Sequence, residues 1–345
     1  MRPLHLATLV AVALSAAPLA ASAQDKVAQF YRGKTVDFFI GSDVGGGFNA
    51  YARAVGSHMM QYMPGKPNVV FKNMAGAGGR KVTDYVANVA PKDGGAIALT
   101  QPGAIVEPIF GDPKKAKYDP LKLGYIGSPE TAVTICFARK DAPVKTFAEL
   151  FTKELVVGAN QRGSFDLDFS LALRNLLGIK LKIVKGYKGS RDIILALENN
   201  EVQGLCGHIW SSLMSQAGHL VRDNKVNILV QYALDPNPEA SKLGAPMIWD
   251  YVKDPEKRKV LELLADQLVF GRPMFTPPGV PAERLAALRK AFDQTMKDPG
   301  YLADARKQKL DVSPASGERV AEMVHRMFTA PKALQVKARD AMYRD

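Results

Sequence analysis

Three glycine-containing loops are the residues of this chain best suited to chemistry, because each could present backbone N–H groups to a ligand. They read DVGGGFN (43–49), NMAGAGGRK (73–81) and NQRGSFD (160–166), and each follows an apolar run that predicts a β-strand. Helices that begin after such strands point free N–H groups outward, and glycine lets a ligand approach the backbone closely. A single loop of this kind could serve only as a turn. Three at equivalent positions predict a pocket for an anion, especially a carboxylate.

Other motifs that bind phosphates or nucleotides do not occur. The sequence contains no G-x-x-x-x-G-K-[ST] phosphate loop, and Gly76-x-Gly78 continues to Lys81 where the dinucleotide fingerprint requires glycine. No G-x-S-x-G elbow of a serine hydrolase is present. We therefore expect no cofactor.

The titratable residues offer no catalytic set either. Asp166 and Asp168 lie two residues apart and would point apart on a helix. The histidines beyond the N-terminal segment show no metal-ligand spacing: His58, His208, His219 and His325. We therefore expect no metal site and favour a binding protein over an enzyme, with an exported hydrolase or lyase as the alternative.

The elements that position these loops alternate between strands and helices, a pattern typical of the α/β class. In the first third, strands are predicted at 35–41, 68–72 and 96–100, with helices over 49–63 and 79–90. A second cycle begins after the extended run 131–141, with strands at 154–159, 181–186, 201–207 and 226–232 and helices near 165–177, 190–199 and 209–219. Ser190 is the predicted N-cap of the helix at 190–199.

Proline-rich connectors and amphipathic helices fill the C-terminal part. Leu285, Leu288, Phe292 and Met296 mark one apolar stripe. These helices have no strands of their own, so we expect them to pack on the first unit. The prediction is a discontinuous lobe 1 (24–133 and 267–345), a lobe 2 (134–266), and a ligand cleft between them. Segments near 131–138 and 267–275 would act as the hinge.

The N-terminus predicts export. Arg2 precedes an apolar run and the small residues Ala21, Ser22 and Ala23, so residues 1–23 read as a signal peptide cleaved after Ala23, for a periplasmic destination. The apolar run is shorter than a membrane-spanning helix requires. The formal net charge of +12 comes from scattered Lys and Arg, which indicates solvated surfaces rather than a nucleic-acid site.

Two cysteines, Cys136 and Cys206, lie in strand-like runs. In an oxidising compartment an even count favours a disulfide. Two buried free thiols are the other interpretation, and the spacing alone does not decide between them.

A set of short motifs resembles a known family. In order, the chain has GGG-x-[DN]-x-x-AR (Gly45–Arg53), GAGG (Gly76–Gly79), a GS pair (Gly163–Ser164), YKG (Tyr187–Gly189) and PPG-x-P (Pro277–Pro281). This resembles the extracytoplasmic substrate-binding receptors of tripartite tricarboxylate transporters, the Bug family. The resemblance covers nearly the whole chain after the signal peptide.

The resemblance implies a two-lobed type II periplasmic-binding-protein fold. It also implies a receptor that captures a small mono-, di- or tricarboxylate, or an aromatic acid, and delivers it to membrane permease subunits. We expect this receptor to be a monomer. Its motifs place the ligand contacts at Gly46, Gly47, Phe48, Asn49, Ala77, Gly78, Gln101, Asn160, Arg162, Gly163 and Ser164. The family fold would lay the strands of Cys136 and Cys206 side by side, which implies a disulfide between them.

This chain departs from the family pattern at four places. The first loop begins DVGG instead of PPGG, Asn49 replaces the usual Asp, Ala75 replaces Pro, and Leu167 stands where His often occurs. Asn49 removes a charge that would repel anions and pair with ammonium groups. We therefore expect an unsubstituted mono- or dicarboxylate rather than an amino acid, with Asn49 deciding ligand choice.

Overall fold

A computed structural model describes residues 25–344, so the signal peptide predicted for residues 1–23 lies outside the described residues. The described chain begins with a helix over residues 25–31, α1. Two mixed sheets with helices on their faces follow, which confirms the α/β class.

The first sheet has six strands in the order β11-β4-β10-β3-β1-β2. They are β1 (Thr35–Ile40), β2 (Asn68–Asn73), β3 (Ala96–Leu99), β4 (Gly124–Ser128), β10 (Met274–Thr276) and β11 (Ala315–Ser316). The strands β2, β1 and β3 run parallel, so their carboxyl ends share one edge. The antiparallel β10 separates β3 from β4. We call this sheet and the helices that cover it lobe 1.

The second sheet has five strands in the order β7-β6-β8-β5-β9. They are β5 (Thr134–Arg139), β6 (Leu155–Ala159), β7 (Leu181–Lys185), β8 (Gly204–Ile209) and β9 (Val226–Tyr232). The strands β7, β6 and β8 are parallel, and β5 runs antiparallel to both β8 and β9. This sheet and its helices form lobe 2.

Helices fill the connections and cover both sheets. They are α2 (Gly47–Met59), α3 (Arg80–Asn88), α4 (Pro102–Phe110), α5 (Phe165–Leu177), α6 (Ser190–Glu198), α7 (Trp210–Arg222), α8 (Pro238–Lys242), α9 (Pro255–Ala265), α10 (Ala282–Thr295), α11 (Pro299–Gln308), α12 (Gly317–Thr329) and α13 (Lys332–Tyr343). Between residues 25 and 344, none of the helices combines the length and the apolar character needed to cross a bilayer.

The strands predicted from the apolar runs are present, but one expectation about the helices was wrong. Gly189, not Ser190, is the N-cap of α6, and the Ser190 hydroxyl donates instead to Gln216 Oε1 on α7, at 2.8 Å. The last helix, α13, packs on α5 and α9 and also on α4 of lobe 1, whereas α10, α11 and α12 pack on lobe 1.

The predicted cysteine pairing is confirmed. The two strands that carry Cys136 and Cys206 pair antiparallel, and a disulfide joins these buried residues. The register shifts at this point, because Ile135 pairs with His208 and Phe137 with Leu205. Two residues of β8 therefore oppose one residue of β5, which is a β-bulge.

Two segments cross between the sheets side by side. The first runs from β4 to β5 and the second leads into β10; Ala132 on the first donates its N–H to Leu268 O on the second, at 2.8 Å. A Cβ on Gly271 would lie 2.7 Å from that of Ala132, so only glycine allows this approach. Lobe 1 contains the strands within 35–128 and 274–316, and lobe 2 contains the strands within 134–232. The exact lobe boundaries given above stay a prediction.

Candidate functional site

A cleft of about 450 Å³ lies between the lobes, at the carboxyl ends of the parallel strands of both sheets. Lobe 1 contributes residues that follow β1, β2 and β3. Lobe 2 contributes residues that follow β6 and β7, together with the end of β8 and the start of α7. This volume is typical of a site for a small molecule.

Seven of the eleven predicted contact residues line this cleft: Gly46, Gly47, Phe48, Gln101, Asn160, Gly163 and Ser164. They stand at the starts of three helices, α2, α4 and α5. The N-cap of α2 is Gly46, which has no side chain to accept the first N–H groups. The N-cap of α5 is Ser164, whose hydroxyl is hydrogen-bonded to Gln161 O and Asp166 Oδ1. The first N–H groups of α2 therefore remain available to an anion, whereas at the start of α5 the Asp166 carboxyl already accepts hydrogen bonds from the backbone N–H groups of Asp166 and Leu167.

Asn49 does not line the cleft. Its side chain is buried, and its Oδ1 accepts hydrogen bonds from Asn73 Nδ2 at 3.0 Å and Arg53 Nε at 3.3 Å. Asn73 also donates to Ser42 O at 2.8 Å. Asn49 thus connects α2 to the end of β2, and this role requires only an acceptor.

Ala77 and Gly78 also lie outside the cleft lining, although their neighbour Gly76 belongs to it. Gly78 has a φ of 62°, which favours glycine, and a Cβ there would overlap the carbonyl oxygen of Arg162 in lobe 2. A Cβ on Gly103 at the start of α4 would overlap the carbonyl oxygen of Gly163. We call Gly78, Gly103 and Gly163 the glycine contact, because the lobes meet there through their backbones.

Arg162 is directed toward the C-terminal helix instead of the cleft. Its guanidinium donates to the carbonyl oxygens of Met342 and Tyr343 and lies 4.4 Å from the centroid of the Tyr343 ring. Its positive charge also acts on the buried carboxyl of Asp168. These contacts explain why α13 packs against the loop of lobe 2.

Two buried aspartates hold this loop in place, and one of them, Asp166, also lines the cleft. Asp168 accepts a hydrogen bond from the Gly163 N–H at 3.0 Å, and Asp166 accepts one from Asn160 Nδ2 at 2.7 Å. Burial raises the pKa of Asp168 to about 8, although Arg162 opposes the rise. Burial also raises the pKa of Asp166 to about 6, and the hydrogen bond from Ser164 opposes that rise. Each carboxyl therefore positions a residue that lines the cleft.

We call three buried residues at the cleft the floor: His208, Ser212 and Arg272, the last of which lies behind the cleft lining and not in it. His208 and Ser212 line the cleft, and Arg272 Nη2 donates to Ser212 Oγ at 2.9 Å. Burial, with a contribution from Arg272, lowers the pKa of His208 to about 4, so this histidine is neutral near pH 7.

The rim of the cleft carries charges of both signs. Asp43 belongs to lobe 1, and Lys188, Arg191 and Asp192 belong to lobe 2; all four are exposed. Arg191 reaches across so closely that a Cβ on Gly45 would lie 2.9 Å from its Nη1. The two positive charges of the rim both come from lobe 2.

The motifs do not indicate the floor. The YKG motif contains Lys188 but predicts no contact for it, and the histidine spacing bears on His208 only as a metal ligand. A glycine inside a strand often marks a bulge, so Gly207 was the available signal for His208. Nothing in the sequence separates Arg272 from exposed arginines. Across residues 25–344, no cluster of three or more His, Cys, Asp or Glu residues could hold a metal ion.

A two-lobed α/β protein with its cleft at the strand ends has the architecture of periplasmic binding proteins. Solved structures share this fold over most of their length. The periplasmic binding protein BugD has a TM-score of 0.67 and 21% identity, and the match covers 89% of this chain and 98% of BugD. MatC from Rhodopseudomonas palustris with bound malate has a TM-score of 0.66 and 19% identity, over 88% and 99% of the two chains.

A third structure, an R. palustris protein with adipate, has a TM-score of 0.67 and 18% identity, over 88% of this chain and 97% of that one. Neither a protein-family model nor a curated protein sequence matches the chain. At these identities the likeness concerns the fold. The structural neighbours are thus receptors of the kind that the motifs resemble, and the predicted two-lobed fold is confirmed.

Proposed function

We propose that this chain is a periplasmic solute receptor of the tripartite tricarboxylate transporter type, which captures a small carboxylate between its lobes and delivers it to membrane permease subunits. One observation carries the proposal: the starts of α2 and α5, on different lobes, line the same cleft. The available N–H groups at the N-terminus of α2 favour a negatively charged guest. The structures of similar fold with malate and with adipate agree with this choice of ligand class.

A thermal-shift screen tests the ligand class. The panel contains malate, succinate, adipate, citrate, benzoate and aspartate. A ligand present at about 100 times its dissociation constant should raise the free energy of unfolding by about 2.7 kcal/mol. We expect a hit among the carboxylates without an ammonium group. A stabilisation limited to aspartate would refute the preference for unsubstituted acids, and the absence of any hit would refute the proposal.

Incubation of each hit with the protein, followed by product analysis, distinguishes the receptor from the alternative hydrolase or lyase. We expect the ligand to be recovered unchanged. Turnover would favour the enzyme.

Localisation and assembly are tested separately. N-terminal sequencing of the protein from a periplasmic fraction should begin at Gln24 if cleavage follows Ala23. Light scattering coupled to size exclusion should give a monomer. Loss of ligand uptake by cells when the permease subunits are deleted would support delivery to them.

A further inference from the structure

The floor of the cleft contains polar atoms that the protein itself leaves unpaired. His208 Nε2 and Arg272 Nη1 are buried and have no hydrogen-bond partner within residues 25–344. Buried polar atoms in native proteins are almost always paired, with protein, water or ligand. Two such atoms on residues that form one floor therefore indicate that something else supplies their partners.

His208 owes its position to the bulge in β8. Gly207 has a φ of 73°, and a Cβ there would overlap the carbonyl oxygen of Phe165 at the start of α5. A bulge of this kind changes the direction of the next side chain, and such bulges are common beside binding sites. His208 is thereby held next to the helix start of lobe 2.

Arg272 is held rigidly at the other side of the floor. Its Nε donates to Glu130 Oε2 at 2.9 Å, and its guanidinium stacks on Phe48 and Tyr51, at 4.1 and 4.7 Å from the ring centroids. These contacts leave Nη1 as its unpaired donor. The guanidinium therefore has a fixed orientation and spare hydrogen-bonding capacity.

Ser212 joins the floor to the helix start of lobe 1. Its Oγ accepts from Arg272 Nη2, so its own proton remains to be donated. A Cβ on Gly47 would lie 2.6 Å from this Oγ, so the first residue of α2 is its direct neighbour. The floor thus extends from α2 to α5, beneath both helix starts.

The chemistry of these atoms points to an acceptor with two oxygens. Arg272 Nη1 and the Ser212 hydroxyl are donors, and neutral His208 donates from Nε2 in one of its two tautomers. A carboxylate only accepts, and it can accept several hydrogen bonds at once. A methyl group at the same place would leave these donors buried and unpaired.

We propose that His208 and Ser212, with Arg272 behind them, form a specificity subsite that binds the second carboxylate of a dicarboxylate and thereby rejects the monocarboxylate of equal chain length. This inference rests on the proposed function, because it assumes that the start of α2 binds the first carboxylate.

Calorimetric titration with two matched pairs of probes tests the subsite: succinate against butyrate, and adipate against hexanoate. Each unpaired buried donor costs about 1–3 kcal/mol, so at least one dicarboxylate should bind more than about tenfold tighter than its partner. In His208→Leu and Ser212→Ala, the ratio of the dicarboxylate affinity to the monocarboxylate affinity should fall toward one. The affinity for the monocarboxylate should change by less than about twofold. His208→Gln, which keeps a donor, should retain part of the ratio.

Two control variants change the same residue types outside the cleft. His219→Leu removes an exposed histidine that pairs with Glu198, and Ser215→Ala removes a hydroxyl one turn after Ser212. Both should bind all four probes as the wild type does.

The outcomes separate the two proposals. If carboxylates bind but the two members of each pair have equal affinity, ordered water supplies the hydrogen bonds of the floor. The subsite is then refuted, while the receptor proposal stands. An equal loss of both members of a pair in His208→Leu also refutes the subsite. If no carboxylate binds, with the wild type folded by circular dichroism, both proposals fail.

Discussion

The lobes meet at two contacts of opposite character. At the glycine contact of Gly78, Gly103 and Gly163, backbone approaches backbone and no side chain intervenes. At the crossing segments, Glu130 and Arg272 form a buried ion pair, 2.9 Å between Oε2 and Nε, with side chains 2% and 1% exposed. An added methyl group would disturb the glycine contact, whereas removal of one charged partner would disturb the ion pair. We expect the glycine contact to govern closure on a ligand and the ion pair to govern the stability of the fold.

The ion pair also connects more elements than the glycine contact does. Ser211 Oγ at the start of α7 donates to Glu130 Oε1 at 2.5 Å, and Arg272 stacks on two aromatic rings of α2. Both crossing segments and both lobes are therefore held by one pair of charges. Buried charges need this degree of hydrogen bonding to offset their loss of hydration.

The largest effect is expected from Glu130→Gln. The change leaves the Arg272 charge buried without its partner, and such changes cost about 3–5 kcal/mol of unfolding free energy. Urea denaturation measures this loss. Glu262→Gln is the matched control, because its ion pair with Arg258 is exposed and should contribute less than about 1 kcal/mol. A loss below 1 kcal/mol in Glu130→Gln would contradict the structural role assigned to the pair.

A pH-dependent effect is expected from Asp168, which holds Gly163 at the glycine contact. Its pKa is raised to about 8 in the folded state, mainly by burial, against about 3.9 in the unfolded chain. Between these values the folded state binds the extra proton, so this carboxyl lowers the free energy of unfolding by roughly 1.4 kcal/mol per unit of rising pH. Asp168→Asn should remove this fall while keeping an acceptor for the Gly163 N–H.

Urea denaturation at pH 5, 6, 7 and 8 measures the difference between Asp168→Asn and the wild type. The unfolding free energy of Asp168→Asn should rise relative to that of the wild type as the pH rises. Asp235→Asn changes an exposed loop position, and its unfolding free energy should depend on pH as that of the wild type does. Parallel curves for Asp168→Asn as well would show that this carboxyl does not retain its proton in the folded protein.

A smaller effect, on ligand affinity alone, is expected from Gly103→Ala. The added methyl group would overlap the Gly163 carbonyl and hold the lobes apart, which should weaken ligand binding at least about tenfold, or 1.4 kcal/mol. The unfolding free energy should change by less than about 1 kcal/mol, because alanine is the better helix former. Small-angle scattering should show no compaction of the variant on addition of ligand.

Gly300→Ala is the control for this change. Gly300 follows the first proline of α11 as Gly103 follows the first proline of α4, but it lies outside the cleft. The ligand affinity of Gly300→Ala, and its compaction on addition of ligand, should equal those of the wild type. Wild-type affinity in Gly103→Ala would mean that the glycine contact has no part in binding.

The smallest effect is expected from Asn49→Asp. The carboxylate can accept the same hydrogen bonds from Asn73 and Arg53, so ligand affinity should change by less than about threefold, or 0.6 kcal/mol. Asn160→Asp is the matched change inside the cleft, where a second carboxyl beside Asp166 should repel an anion. A switch toward aspartate in Asn49→Asp would restore the hypothesis that this residue selects the ligand.

Local patterns predicted the strands and most helices because the relevant forces act over short distances along the chain. Alternating apolar residues and the glycines of the turns predicted β1, β6 and the loops that follow them. Seven of the predicted contact residues line one cleft. The prediction that failed involves a partner distant in sequence. Ser190 binds Gln216, 26 residues away, instead of capping α6.

By itself, the sequence determined the α/β class, the glycine loops at the strand ends and, through the resemblance, the pairing of Cys136 with Cys206. Only the tertiary structure decided what each residue contacts. It placed Asn49 and Arg162 in supporting contacts and joined His208, Ser212 and Arg272 into a floor. The physical reason is that burial and hydrogen bonding depend on neighbours from other elements, such as Glu130 beside Arg272, 142 residues away along the chain.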